Sequence, residues 1–357
     1  MSEAPSRPGP EAPVALDAQG ADGGPAVVIE GARIAAAGGI AVRLFGPASL
    51  EVPEGVELVP AEGVIGNDVE PVAAVRGTPE ASIVRAAADV AEGNSGALVS
   101  AGSTGAAMTA ALFALRRIKG VHRPALAVQV PLPNSGGRTL LFLDCGANTE
   151  ARPQHLIQFA HLGAAFSESV LGIERPRVGL LSVGEEQKKG RPDVVEANAA
   201  LRETESIAFV GNVEGRDLLA GTADVIVTDG FTGNVALKTL EGTARAVADA
   251  VGAAARSNPI AMAGGLLLKP ALGQLREAMD PNAVGGAILL GLNGVAVVAH
   301  GSSSPEGIAN AVRLAQHCVR EREVERTAER LRDSGATREA LREDASSGAE
   351  AASAGSG

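Results

Sequence analysis

Short apolar runs alternate with segments of helical spacing along most of the chain. The strand-like runs are almost continuously apolar, whereas the segments between them repeat apolar residues every three or four positions. This pattern is typical of a mostly parallel sheet covered by helices on both faces, so it predicts an α/β fold. Strands are predicted at 14–16, 40–45, 56–60, 97–101, 125–131, 139–144, 177–184, 207–211 and 224–230, and helices at 79–93, 104–118, 152–172 and 235–251.

The ends of the chain differ in composition from its centre. Residues 1–12 are rich in proline and alanine and 345–357 in small polar residues, so both are expected to be disordered tails. One domain is predicted over 13–318, followed by a charged, solvated C-terminal helix over 319–344. The apolar run at 284–299 is shorter than the ~20 residues of a spanning helix and is interpreted as a helix end and a strand.

Composition limits the function classes. Aromatic residues are only 2%, with no Trp or Tyr, which argues against a site built on stacking with bases. The net charge of −11 disfavours nucleic acid as a partner. Two distant cysteines form no CxxC metal pattern and no disulfide framework, so no metal is expected and a reducing cytoplasm is predicted. The N-terminus lacks the apolar stretch of a secretory signal.

The loops that follow the predicted strands share a chemistry. They combine glycines with hydroxyl, amide and charged side chains, and ligands in open α/β sheets lie beyond the carboxyl ends of strands. We therefore expect seven such loops at one edge of the sheet, where glycine backbone and helix N-termini suit an anion such as phosphate. The candidates are Asp17, Gly20, Asp22; Gly102, Ser103, Thr104, Gly105; Asn148; Glu185, Lys189; Asn212, Glu214, Arg216; Asp229, Gly230, Thr232, Gly233, Asn234; and His300, Gly301, Ser302.

Familiar catalytic motifs are missing from the sequence. It contains no P-loop, no G-x-G-x-x-G fingerprint, no G-x-S-x-G elbow and no H-E-x-x-H. Cys145 directly follows an apolar strand and is interpreted as a small buried hydrophobe. Because no covalent nucleophile stands out, a transfer by direct attack of one bound substrate on another is expected.

Long motifs resemble those of the bacterial phosphate acyltransferase (PlsX) family from about Val14 to Ala315. They are DAQGADGGP, SAGSTGA, LDCGANTEARPQHLIQFAHLG, SVGEEQKKG, GNVEGRD, DGFTGNVALKTLEG and LLGLNGVAVVAHGSS. The chain departs from the family pattern at Gln19 and Ala21 (usually DAMGGD), at Ser103 (usually Asn) and in the segment 76–82, which lacks paired lysines.

The resemblance implies a fold like that of isocitrate and isopropylmalate dehydrogenases, in the phosphotransacetylase superfamily. It implies transfer of a fatty acyl group from acyl carrier protein to inorganic phosphate, which yields acyl phosphate for phospholipid synthesis without a cofactor. It also implies a homodimer, a downstream glycerol-3-phosphate acyltransferase as partner, and a cytoplasmic protein in peripheral contact with the inner face of the membrane.

Our hypothesis for the site places phosphate on the SAGSTG and DGFTGN loops, with Lys238 or Lys189 as nearby charge. His300 either donates to the oxyanion or phosphate, or caps the turn after its strand. Thr232 and Asn234 are expected to be neutral donors, and Asp229, which would repel phosphate, to organise its loop. Asn148, Asn212 and Glu214 are placed by motif match alone.

Alternatives stay open at this point. A phosphate acetyl- or butyryltransferase acting on a coenzyme A thioester would share the fold, and the altered 76–82 segment would suit a non-catalytic membrane scaffold. The leucine-rich segment 262–279 is a candidate acyl groove, dimer contact or membrane contact, or it packs as an ordinary helix.

Overall fold

The computed structural model describes residues 9–133, 135–264, 268 and 281–341. Within them, eleven strands form one sheet in the order β3-β2-β1-β4-β11-β10-β5-β6-β9-β7-β8. The strands are β1 Val14–Asp17, β2 Val42–Gly46, β3 Val56–Pro60, β4 Ala97–Ser100, β5 Ala125–Pro131, β6 Thr139–Leu143, β7 Arg177–Leu181, β8 Ala208–Val213, β9 Val225–Val227, β10 Ala287–Leu290 and β11 Val295–Val298.

Helices cover both faces of this sheet. They are α1 Pro25–Ala37, α2 Pro71–Gly77, α3 Ser82–Ala91, α4 Thr104–Leu115, α5 Pro153–Ser169, α6 Pro192–Arg202, α7 Gly230–Ala255, α8 Pro305–Arg320 and α9 Glu323–Asp333. Alternate side chains of β1 enter different cores: Val14 and Leu16 pack with α1 and α8, and Ala15 packs with α3 and α4. The predicted α/β fold with a mostly parallel sheet is confirmed, since seven of the ten strand pairings in the described residues are parallel.

The sheet consists of two parallel blocks that run in opposite directions. β3, β2, β1, β4 and β11 are mutually parallel, and so are β6, β9, β7 and β8. Between the blocks, β10 pairs antiparallel with β11 and with β5, and β5 pairs antiparallel with β6. Because of these three antiparallel pairings, the strands of the second block run opposite to those of the first.

The expectation of seven loops at one edge is therefore wrong. The loops after β1, β4 and β11 lie at one edge, which we call the first edge. The loops after β6, β7, β8 and β9 lie at the opposite, second edge. Local hydrophobic pattern carries no information on strand direction, so it could not indicate the reversal.

Residues 284–299 form an antiparallel hairpin of two strands, β10 and β11, rather than the predicted helix end and strand. Only a short 3₁₀ turn, Pro281–Val284, precedes them. Gly291 has φ +91°, which lets the chain turn between the strands. Among the described residues, no helix is long and apolar enough to cross a membrane.

The charged C-terminal segment has one packed face, which corrects the prediction of a solvated helix over 319–344. α8 continues to Arg320, and α9 begins at Glu323. Val324, Thr327 and Leu331 are buried, because a spacing of three and four residues places them on the same side of α9. That side packs against α5, and the Thr327 hydroxyl there donates to the buried Glu323 carboxylate at 2.9 Å.

The first turn of α7 lies against the loop that follows β6. A Cβ built on Gly233 would lie 1.9 Å from the carbonyl oxygen of Asp144, and one on Gly230 would lie 2.5 Å from the carbonyl oxygen of Asn148. Both distances are far below van der Waals contact. The two glycines of DGFTGN therefore allow a close approach of helix and loop.

Gly233→Ala should lower the free energy of unfolding by about 3 kcal/mol, because the added methyl group forces helix and loop apart. Gly242→Ala is the matched control in the same helix, since a Cβ at that position would have nothing within 4 Å. There the better helix propensity of alanine should leave stability equal or up to about 1 kcal/mol higher. Urea unfolding followed by circular dichroism measures both; equal midpoints for the two variants would contradict the packing role.

Candidate functional site

A buried carboxylate, that of Asp17, lies at the carboxyl end of β1 on the first edge. Ser82 Oγ donates to its Oδ1 at 2.6 Å, Ser100 Oγ donates to its Oδ2 at 2.8 Å, and the Gln19 amide donates to Oδ1 at 3.1 Å. Burial raises the pKa of Asp17 to about 6, and the hydrogen bonds from Ser82 and Ser100 oppose that rise. The carboxylate thus holds β1, β4 and the start of α3 together and titrates near neutral pH.

Two glycines bring the loops after β1 and β4 into contact. A Cβ on Gly20 would lie 2.7 Å from Gly102 Cα, and Gly20 has φ +86°. Both the close approach and the positive φ favour glycine at this position. The contact seats Ser103 and the start of α4 beside Asp17. Gly105, Thr104 and Asp22 lie farther out on the same edge, with Thr104 and Asp22 exposed.

The N-terminus of α4 opens onto a small pocket. Ser103 precedes the helix, but no side chain caps it, so the first-turn amides keep their donors for another partner. The Nε2 of Gln19 is buried without a hydrogen-bond partner among the described residues. The pocket has a volume of about 10 Å³, room for one water-sized group. Its polar lining is Asp17, Gln19, Ser82, Ser100 and Ser103, with the backbone of Gly102.

His300 stands at the rim of the same edge, two residues after the end of β11. Its ring Nδ1 lies 3.2 Å from the amide of Ser302 and 2.8 Å from Ser302 Oγ. The carbonyl of Gly301 accepts from the amide of Asp22 at 2.8 Å, which joins this loop to the one after β1. His300 is exposed, and its contacts with Ser302 hold the turn in which it lies. In the sheet only β4 separates β11 from β1, so His300 lies at the same edge as the Asp17 pocket, two strands away.

At the second edge, the organising group is Asp144. Its carboxylate is fully buried and accepts five hydrogen bonds, from the amides of Leu126, Gly146, Ala147 and Asn148 and from Asn148 Nδ2. Burial raises the pKa of Asp144 in spite of these bonds. The prediction that Cys145 is a buried hydrophobe is confirmed, and burial raises the pKa of its thiol.

Three backbone amides of DGFTGN, the loop predicted to cradle the anion, already have protein partners in this arrangement. The amide of Gly230 donates to the carbonyl of Asn148, and that of Gly233 donates to the carbonyl of Asp229. Thr232 donates to the Asp229 carboxylate through both its amide, at 2.9 Å, and its hydroxyl, at 2.8 Å. Asp229 thereby caps α7, and Asn234 Nδ2 donates to the carbonyl of Cys145 at 3.2 Å.

Several charged candidates of the second edge form ion pairs with neighbouring side chains. Lys238 forms an ion pair with Glu241 at 2.8 Å, and Arg216 pairs with Glu185 at 3.0 Å and Glu214 at 3.5 Å. Such exposed pairs contribute little to stability. Asn212 is buried, and its Nδ2 donates to the carbonyls of Glu186 and Lys189, so it holds the loop after β7.

Of the four residues predicted to be catalytic, only His300 lies at the first edge. Asn234, Lys238 and Asp229 lie at the second, so within one chain the structure does not bring them to His300. Sequence reasoning missed Ser82 and Ser100, which hold Asp17, and Arg191, whose Nη1 lies 3.2 Å from Asp229 Oδ2. Ser100 was findable, as the last residue of a predicted strand; Ser82 is 65 positions from Asp17, and nothing local marks it.

Two solved structures with similar folds are described as a phosphotransacylase and a phosphotransacetylase. The chain superimposes on a branched-chain phosphotransacylase from Enterococcus faecalis with a TM-score of 0.58 at 18% identity, covering 86% of this chain and 99% of the other. A phosphotransacetylase from Streptococcus pyogenes gives 0.56 at 18% identity, with 86% and 94% covered. At this identity the likeness shows the fold, an α/β fold of the phosphotransacetylase kind.

Sequence comparison defines the family. A family model described as "Fatty acid synthesis protein" matches residues 12–326. A phosphate acyltransferase from Anoxybacillus flavithermus is 47% identical over 313 residues, 86% of this chain and 94% of the relative. One from Elusimicrobium minutum is 49% identical over 266 residues, 74% of this chain and 77% of the relative. The chain belongs to the phosphate acyltransferase family.

The raised pKa of Asp17 predicts a pH-dependent stability. Between the ordinary value of 3.8 and about 6, the unfolded state loses the Asp17 proton while the folded state keeps it, so wild-type stability falls as pH rises through this window. Asp17→Asn lacks this proton, and its stability relative to wild type should rise by about 2 kcal/mol from pH 4 to pH 6, by about 3 kcal/mol in all between pH 3 and pH 7, and then level off. Urea midpoints at each pH measure the difference; a flat difference across the range would contradict the buried titration.

Proposed function

We propose that the protein transfers a fatty acyl group from acyl carrier protein to inorganic phosphate. Membership of the phosphate acyltransferase family supports the transfer. The observation that carries the site is the uncapped N-terminus of α4, which opens beside the Asp17 pocket with an unpartnered buried donor on Gln19. Backbone amides, hydroxyls and a carboxamide together form a donor set for an anion.

The reaction needs no covalent intermediate on the enzyme. A phosphate oxygen attacks the thioester carbonyl, the new C–O bond forms, the C–S bond breaks, and the carrier leaves as a thiol after taking up a proton. Holding the two substrates in place supplies up to about 7–11 kcal/mol of the barrier reduction. A donor aimed at the developing oxyanion adds about 3 kcal/mol.

Phosphate is assigned to the first edge. The pocket has room for one water-sized group, so one phosphate oxygen would enter it and the rest of the ion would lie over the first turn of α4. Ser103 and Gln19 are then the nearest side-chain donors. Asp17, whose oxygens are engaged by Ser82 and Ser100, organises these loops, and His300 at the rim is the candidate donor to the carbonyl oxygen.

A homodimer is part of the proposal. α7 is 26 residues long, and Val235, Val247 and Val251 on it are 51%, 57% and 42% exposed. A second copy of the chain would cover this apolar surface.

Peripheral membrane contact, at the inner face of the membrane where a downstream glycerol-3-phosphate acyltransferase would consume the product, is also proposed. Ile260, Met262 and Leu268, beyond the far end of α7, are 86%, 58% and 58% exposed. Most of the segment 262–279, the sequence-based candidate for this contact, lies outside the described residues.

The site assignment predicts that Ser103→Ala raises the KM for phosphate about tenfold, since it removes one hydrogen bond to a charged ligand. Phosphate-dependent release of the carrier thiol measures it, with a series of acyl lengths and with acetyl- and butyryl-coenzyme A as competing donors. Ser334→Ala, far away at the end of α9, is the control. An unchanged KM for phosphate would contradict the assignment of phosphate to the N-terminus of α4. A preference for the short coenzyme A thioesters would favour the phosphate acetyl- or butyryltransferase alternative.

The membrane contact predicts that replacing Ile260 and Met262 by Asn and Gln lowers flotation with anionic phospholipid vesicles several-fold. Burial of each apolar side chain in the interface contributes about 1.5–3 kcal/mol. The control replaces Val64 and Val210, which are also exposed but belong to the sheet-bearing part of the chain. Equal flotation of the two double variants would contradict the contact.

A further inference from the structure

A strongly basic loop joins α4 to β5. Residues 116–123, which we call the basic loop, read RRIKGVHR and contain no acidic residue. Arg116, Arg117, Lys119 and Arg123 are all exposed. In a chain of net charge −11 this is an unusual concentration of positive charge.

The basic loop is held in place by buried apolar anchors and by the β10–β11 turn. Ile118 and Val121 are 4% and 3% exposed, so the apolar side chains of the loop face inward and its charges face outward. The amide of Ile118 donates to the carbonyl of Gly291 at 3.0 Å. The backbone amide of Asn293 donates to the carbonyl of Arg116 at 3.0 Å, and its side-chain Nδ2 donates to the carbonyl of Arg117 at 2.7 Å.

Further bonds fix the centre of the basic loop from α5 and from the C-terminal segment. The carbonyl of Gly120 accepts from Gln158 Nε2 at 2.9 Å and from the amide of Arg338 at 2.7 Å. Gln158 Oε1 in turn accepts from the amide of His122 at 2.6 Å. The backbone of the basic loop is therefore held at several points by the rest of the fold.

Arg116 holds a backbone conformation that favours glycine. Its φ is 58° and its ψ 175°, a region that non-glycine residues rarely occupy. Strain of this kind at an exposed arginine, where glycine would fit better, points to a role for the side chain.

The cations of this surface are not neutralised by the fold. Arg116, Arg117, Lys119, Arg123 and the neighbouring Arg152 form no ion pair with any residue in the described part of the chain. Their field reaches inward: the pKa of His155 is lowered to about 4, first by burial and then by Arg123, His122 and Arg152.

α4 connects this surface to the anion pocket. Its 12 residues begin at the pocket and end at Arg116, a distance of about 18 Å along the helix. The basic loop precedes β5 and so lies at the second edge, whereas the pocket lies at the first; a thioester arm on a partner docked at the basic loop therefore has to span about 18 Å along α4 to reach the pocket.

We propose that the basic loop, with Arg152, is the docking surface for an acidic protein face, that of the carrier which delivers the acyl thioester. This inference rests on the proposed function. The inward-facing Ile118 and Val121 leave no apolar side chain of the loop to insert into a lipid layer, which favours an acidic protein over a membrane. Complementary charge across such a surface steers association and weakens with salt.

The test replaces Arg117, Lys119 and Arg123 together by Gln. The control replaces Arg33, Arg313 and Arg332 by Gln; these arginines are exposed and lie on α1, α8 and α9, outside the basic loop, and the net charge changes equally. Affinity for acyl carrier protein is measured by titration calorimetry at low and high salt. KM is measured with acyl carrier protein and with a pantetheine thioester of the same acyl chain.

We expect the test variant to bind carrier protein at least tenfold more weakly at low salt and to raise its KM to the same extent, with the pantetheine KM unchanged and the control like wild type. Arg116→Gly should weaken carrier binding while its unfolding midpoint stays equal or rises. Unchanged carrier binding in the test variant would overturn the proposal. A parallel rise of both KM values in the test variant would also overturn it. So would a test variant that binds carrier protein like wild type and loses only its flotation with anionic phospholipid vesicles. Carrier binding without phosphate-dependent turnover in the wild type would count against the proposed function alone.

Discussion

The carboxylate of Asp144 accepts five hydrogen bonds in a place that water does not reach, and three parts of the molecule meet around it. One oxygen binds the first turn of the loop after β6 and the start of β5, and the other binds Asn148. The carbonyl of Asn148 then receives the amide of Gly230, which places α7. Leaving a buried carboxylate without a hydrogen bond costs more stability than the same hydrogen bond contributes when it is formed. Small displacements of the chain around Asp144 are therefore unfavourable. This junction ties the start of β5 to the end of β6, and it places the first turn of the longest described helix.

Much of the fold was accessible from the sequence, and the exceptions have a common origin. Periodicity identifies which residues face a core, and it correctly indicated strands such as 125–131 and the buried helix α5. Periodicity does not encode the direction in which a strand runs. The antiparallel pairings of β10, β5 and β6 could therefore not be predicted, nor could the division of the loops between two edges of the sheet. The same limit applies to α9, where a charged sequence concealed a narrow apolar face made of Val324 and Leu331.

The site illustrates how one residue type serves two purposes. Glycines in a loop before a helix are equally suited to admitting an anion and to admitting another backbone. At Gly20 and Gly102 they bring two loops together beside an open pocket, whereas at Gly230 and Gly233 the space is filled by the loop after β6. Only the three-dimensional neighbours distinguish these cases. The hydroxyl of Ser82 lay beyond reach for a similar reason, since its partner Asp17 is distant in sequence and adjacent only once the sheet has formed.

The length of α7 has a consequence for how the protein tolerates change. The helix is anchored by its first turn, and its 26 residues extend about 39 Å from that anchor. Each residue of a helix advances the chain by about 1.5 Å and rotates it by about 100°, so everything beyond the helix is phased to Gly230 and Gly233. Removing one residue from its exposed middle would turn Ile260 and Met262 to another side without disturbing the pocket, whereas removing seven would shorten the arm and nearly preserve the direction. Natural variation in α7 should therefore occur in steps that complete whole turns.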